Sequence, residues 1–168
     1  MLKVALLSAW LTFTLVMWFA ATQSFSTVDR VLRTPNPQFT AATKGMAEAQ
    51  ARVVLRHLAS EINRTFFWGY GLAQIVVGGL LLWLHWRETP RDSLGFGVVC
   101  GMFVLALILT LVLTPLIVSL GRSIDFVPRN PPPPVMPRFW ALHGAFTGLD
   151  GVKFLAGLGL LVRSILRA

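Results

Sequence analysis

The chain has one cysteine, one tyrosine and few charges. Cys100 lies inside a hydrophobic run, so an internal disulfide and any cysteine-based metal spacing are excluded. Charged residues make up 13% of the 168 residues, against roughly 25% in soluble domains. Acids are the scarcer sign, with seven Asp and Glu against fifteen Lys and Arg. Catalytic signatures are missing as well: no G-x-S-x-G, P-loop, H-E-x-x-H or dinucleotide fingerprint occurs, and the chain reads as non-enzymatic. There is no basic stripe with interleaved aromatics, so the net charge of +8 does not point to nucleic acid.

What the chain has in abundance is apolar length. It is 55% hydrophobic, with a mean hydropathy of +0.67, the composition of an integral, multi-pass membrane protein of a plasma or inner membrane. Four spans are expected, at about 4–22, 66–86, 93–120 and 139–163, in a single all-α transmembrane domain over 1–168. Trp10 and Trp18 are placed as interfacial anchors of the first span. The first span is expected to be retained, because Trp18 and Phe19 fall where a signal-peptidase site needs small residues. Phe66-Phe67-Trp68 and Trp83-Leu84-His85-Trp86 bound the second span with a double aromatic belt.

The connections differ in kind. Thr34-Pro35-Asn36-Pro37 breaks the helix pattern. From about 40 to 65 an amphipathic helix is expected on the membrane surface or across the bundle's mouth, open to continuity with span two. Its apolar side is Met46, Val54, Leu58, Ile62 and Phe66, and Arg52, Arg56 and Arg64 suit anionic lipid headgroups. Residues 87–92 make a short hairpin, Thr114-Pro115 predicts a kink, and the proline-rich loop 126–138 reads as a stiff, extended spacer or a docking strand. Gly97 and Gly101, and Gly144 and Gly148, have the spacing that lets helices approach closely.

Four spans put both termini on one side. Five basic residues fall on that side and nine on the other, so the positive-inside rule favours cytoplasmic first and third loops, with Lys3 arguing the other way.

Candidate chemistry concentrates in the last span. His143, Thr147 and Asp150 are spaced by four and three residues, on one helical side, with Lys153 about 60° from Asp150. Charge at mid-bilayer costs at least ~2.5 kcal/mol and is turned toward protein or water. The group therefore reads either as a relay or ligand grip, or as a buried pair that locks helix register with Lys153 snorkelling outward. Spans one to three contain no internal charge after Lys3, which weighs against a pump, and Gln74 is their main other strong hydrogen-bonding group. A second cluster is expected at one mouth of the bundle: His57, Glu61, Asp29, Arg122 and Asp125, as a salt-bridge network or a substrate vestibule. No metal site is expected. His85 and His143 lie on opposite membrane sides, roughly 20 Å or more apart, and cannot share a haem. Single-histidine pigment ligation or a quinone hydrogen bond stays open, with no cofactor expected by default.

At Phe139-Trp140-Ala141-Leu142-His143-Gly144, with Asp150 seven residues past the histidine, the chain resembles a family of small four-span membrane proteins of unknown function. Its relatives include the transmembrane protein associated with cisplatin resistance. The family pattern often carries Asn where Asp150 stands, and the resemblance implies a four-span layout without an established activity. The reading from sequence is an accessory or scaffold subunit of a larger membrane complex. Its alternatives are a small transporter or ligand-binding protein using the polar seam, and a pigment-, haem- or quinone-binding subunit.

Overall fold

The computed structural model describes residues 1–34, 36–90, 92–127 and 129–167. The proposed break at Pro35 and the contributions of Arg91 and Pro128 to their loops lie outside the described residues. Six α-helices form: α1 (Leu2–Arg33), α2 (Pro37–Ala42), α3 (Glu48–Trp86), α4 (Ser93–Ile108), α5 (Thr114–Ser123) and α6 (Met136–Leu166), with a π-helical turn at Leu109–Leu113 joining α4 to α5. No strand occurs among the described residues. Four stretches, α1, α3, α4 through α5, and α6, are long and apolar enough to cross a membrane, so the chain is an all-α, four-helix, multi-pass membrane bundle.

The helices form a ring in which α1 packs on α3 and α6, and α4 packs on α3 and α6. Lys3 pairs with Glu88 at 2.5 Å, and Arg163 pairs with Asp92 at 2.6 Å, so both chain ends meet the 87–92 connection at one end of the bundle. Inside, two apolar layers form. Leu7, Trp10, Leu81, Met102 and Leu160 belong to the layer nearer the termini. Met17, Tyr70, Leu109 and Phe146 belong to the other. Polar side chains of α1, α3 and α6 fall between them.

Several expectations change. The amphipathic stretch 40–65 takes the continuous form that the sequence left open, rather than lying as a helix of its own on the surface. A turn at 43–46, with Gly45 at φ 91°, separates it from α2, and from Glu48 it runs unbroken into span two. The 39 residues of α3 extend about 58 Å at 1.5 Å each, against a hydrocarbon core of about 30 Å. The 32 residues of α1 are also too long, so the two helices project together beyond the bundle. Asn63 donates to the Ala21 carbonyl and accepts from Ser24, and Arg52 pairs with Asp29 at 2.6 Å. Ala51, Ala59 and Asn63 are buried, while Val54, Leu58, Ile62 and Phe66 face outward. The apolar periodicity was real, but small residues let α1 and α3 approach more closely than the larger apolar ones could.

Trp10 and Trp18 are not interfacial anchors either. Trp10 is fully buried and Trp18 half-buried, each donating its indole N–H inward. The span-two aromatics do face outward as a belt requires: Trp68, Trp83 and Trp86 are exposed. Pro115 follows the π turn, where the Thr114 hydroxyl donates to the Leu109 carbonyl at 2.9 Å. A widened turn accommodates the missing N–H and the ring of proline in the helix. Of the proline-rich loop, Met136 already begins α6 and Pro137 sits in its first turn, where its missing N–H costs nothing.

The glycine expectation also reverses. A Cβ on Gly97, Gly101, Gly144 or Gly148 would meet nothing within 4 Å, because these strips face away from the ring. The close approaches are elsewhere. A Cβ on Gly78 would lie 2.7 Å from the rings of Trp10 and Phe103, and one on Gly71 would lie 2.5 Å from Thr110. Gly78→Ala should therefore cost about 1–3 kcal/mol through overpacking against a rigid indole. Gly97→Ala and Gly144→Ala should stay within about 0.5 kcal/mol of the parent. Thermal melts in mild detergent check the contrast, and equal losses at all three positions would refute it.

Candidate functional site

The polar residues between the two apolar layers form one connected network. Asp150 and Lys153, one helical turn apart on α6, are 0% and 1% exposed and form a direct ion pair. Both Asp150 oxygens accept further bonds: Trp18 Nε1 donates at 2.9 Å to one, and the Tyr70 hydroxyl lies 2.9 and 3.1 Å from the two. Tyr70 also lies 2.8 Å from the Thr14 hydroxyl. Lys153 Nζ reaches the Tyr70 hydroxyl at 3.0 Å and bonds directly to Gln74 Oε1. Gln74 Oε1 accepts a second bond from Trp10 Nε1 at 3.2 Å, which orients the amide with its oxygen toward both donors. The Lys153 ammonium also lies 5.0 Å from the Tyr70 ring centre, and Phe154 lies against Trp18 with ring centroids 5.4 Å apart.

Each charge is thus met by a counter-charge and by neutral donors or acceptors, the condition under which buried ions are tolerated. Lys153 does not snorkel. Sequence spacing found Asp150, Lys153 and Gln74, but not the partners on α1 and α3. Trp10, Thr14 and Trp18 recur every four residues, as do Tyr70 and Gln74, and this shared-face spacing of hydrogen-bonding side chains was the available signal.

Two members of the expected seam are elsewhere. Thr147 is exposed and returns its hydroxyl to the His143 carbonyl at 3.0 Å. His143 is half-buried among aromatics, 6.0 Å from the Phe139 ring and 5.9 Å from the Trp140 ring, and it makes no bond to Asp150. The reason is angular. The buried arc of α6 centres on Phe146, Asp150, Lys153 and Gly157, and at about 100° per residue Thr147 falls about 60° outside Asp150, on the side away from Lys153. Seven residues separate His143 from Asp150, about 10 Å along the axis.

The mouth cluster is partly realised. Asp125, in the turn after α5, accepts both guanidinium nitrogens of Arg64 at 2.8 Å and lies 3.1 Å from His57 Nδ1. Arg64 also bonds Glu61, and Arg122 stands 3.7 Å from the other Glu61 oxygen. Asp29 does not belong: it pairs with Arg52 further out on the projecting helices. Arg64, buried at the centre, was expected only to touch headgroups. His57, Glu61 and Asp125 bring ligand atoms within 4.8 Å of one another, yet the Arg64 guanidinium already bonds both carboxylates and supplies the cation at their centre. Burial pulls the Asp125 carboxyl up, but hydrogen bonds and charge from Arg64 and His57 outweigh it and hold the group below the usual carboxylate range. Arg163 likewise holds Asp92 well below that range at the opposite end.

No family model, curated protein or solved structure matches the chain. The site is therefore read from its geometry.

Two outcomes follow. Asp150→Asn or Lys153→Met alone leaves a buried charge without its counter-charge and should cost about 3–5 kcal/mol, whereas the double variant should lose less than the sum. A double-mutant cycle of melting free energies checks this, and strict additivity would refute the coupling. Because the folded Asp125 carboxyl titrates below its unfolded value, its contribution is present above the unfolded pKa of about 3.9. It is lost as pH falls through the lower folded value. Hydrogen exchange at 124–127 should rise below about pH 4, and Asp125→Asn should abolish that step.

Proposed function

We propose that the chain is a non-catalytic, multi-pass accessory or scaffold subunit of a membrane complex. The observation that carries the reading is the enclosure of the central ion pair. Asp150 and Lys153 are sealed at 0% and 1% exposure, with their bonds supplied from three helices. Such an arrangement suits holding helices in register, and the burial of both ionised groups supports that role over a relay or a ligand grip. The alternative in which His143, Thr147 and Asp150 together grip a ligand loses support, since the three do not converge.

The outer surface supports partner contact. Gly97 and Gly101 on α4, and Gly144 and Gly148 on α6, are exposed in strips that the chain's own packing does not use. Where helices meet in a bilayer, small residues let a neighbour approach closely. The resemblance of the Phe139–Gly144 segment to a four-span family belongs to this proposal and adds no activity to it.

Purification of the full chain from its native membrane in mild detergent, followed by mass spectrometry and an absorbance spectrum, tests the reading. Stoichiometric partner chains are expected. Gly144→Leu with Gly148→Leu should leave the melting temperature of the isolated chain unchanged while partner recovery falls several-fold. A monodisperse chain that recovers no partner, or one carrying a chromophore that His143→Ala removes, would overturn it.

A further inference from the structure

We propose that the groove between the projecting parts of α1 and α3 binds one anionic phospholipid, with Arg30 at its rim receiving the phosphate. This goes beyond the subunit reading and does not depend on it. The groove encloses about 390 Å³ between residues 20–31 of α1 and 55–66 of α3. Both walls are mainly apolar, with Leu58, Ile62 and Phe66 on α3 and Val28 and Val31 on α1, and Gln23 and Thr27 add polar groups on the α1 side. The apolar walls suit an acyl chain, and Gln23 and Thr27 offer hydrogen bonds to glycerol and ester oxygens.

Depth places these walls at the membrane boundary. With the layer of Thr14, Tyr70 and Asp150 as the bilayer middle, Ala20 lies about 9 Å outward along α1, inside the hydrocarbon. Thr27 lies about 20 Å outward, at the level of the headgroups. Arg30 points back along its helix and donates to the Thr27 hydroxyl at 3.0 Å, which sets its guanidinium at that level beside the groove. The groove therefore opens to lipid chains at its inner end and presents a cation at its outer end.

Charge selects the occupant. All seven acids of the chain lie within ion-pair distance of a base: Asp29 and Glu48 of Arg52, Glu61 and Asp125 of Arg64, Glu88 of Lys3, Asp92 of Arg163, and Asp150 of Lys153. Among the described residues, the bases without a carboxylate partner on the side of the projecting helices are Arg30, Arg33, Lys44, Arg56, Arg129 and Arg138. At the other end the described bases without such a partner are Arg87 and Arg167. Nine described bases stand against four acids at the groove's end, an excess of five positive charges even with Asp29 beside Arg30, and of the six bases without a carboxylate partner only Arg30 bonds a groove-lining side chain. Basic residues near a leaflet attract anionic headgroups, and the apolar wall adds a chain-binding surface that a free anion would not use.

Native mass spectrometry of the full chain in mild detergent tests this, with phosphatidylglycerol and phosphatidylcholine of identical chains as probes and glycerol phosphate as the chainless control. One phosphatidylglycerol per chain is expected, retained about fivefold more tightly than phosphatidylcholine, with no glycerol phosphate bound. Arg30→Gln should erase the preference, Arg33→Gln should keep it, and Leu58→Asn should weaken both lipids. All three side chains are exposed, and unchanged melting temperatures verify folding. Equal retention of the two lipids by the parent overturns the proposal, as does equal loss in Arg30→Gln and Arg33→Gln. Glycerol phosphate binding as tight as lipid, or a dimer that Leu58→Asn dissociates, overturns it as well.

Discussion

The ion pair between Asp150 and Lys153 sets terms that much of the bundle meets. Inside a bilayer an unpaired charge is expensive, and a paired one is tolerable only when its remaining lone pairs and protons are also bonded. Three of the helices take part. α1 contributes Trp18 and, through Tyr70, Thr14. α3 contributes Tyr70 and Gln74, and α6 holds the pair itself. Because hydrogen bonds are directional and apolar packing is not, this layer selects one register and rotation for α1, α3 and α6. The apolar layers on either side could tolerate a range of alignments, since their packing is limited by volume and shape.

A second constraint is length. α1 and α3 are longer than a membrane requires, and their outer parts emerge as a pair tied by Ser24 with Asn63 and by Asp29 with Arg52. These contacts use small and polar side chains, so the larger apolar residues of α3 remain outside the pair. An apolar face next to uncompensated arginines is costly in bulk water and favourable at a leaflet surface. The same economy governs the ends: Asp125 with Arg64 closes one mouth, and Lys3 with Glu88 and Asp92 with Arg163 tie the other.

The chain separates its polar groups by depth. Asp150, Lys153, Tyr70 and the Gln74 oxygen are engaged in bonds between helices, while Gln74 Nε2 is buried without a partner among the described residues. Its glycine strips, its projecting pair and its unpaired bases all lie at the surface.

What the sequence by itself determined was the class, the number of spans and the position of the buried charge. Hydropathy and span length follow from composition along one dimension, and a carboxylate with a lysine three residues on must face each other across one turn. The aromatic ends of span two were legible for the same reason. Only the tertiary structure decided which face of each helix turned inward. Glycine spacing identifies a strip but not its direction, so Gly97, Gly101, Gly144 and Gly148 faced outward while Gly71 and Gly78 took the close contacts. Tryptophan near a span's end fits an interface equally well as a buried donor, and the partners of Asp150 and Gln74 chose the second for Trp18 and Trp10. Thr147 lay one step outside an arc that no single helix reveals. Helical periodicity is local, whereas the direction of burial is set by neighbours far away in the chain.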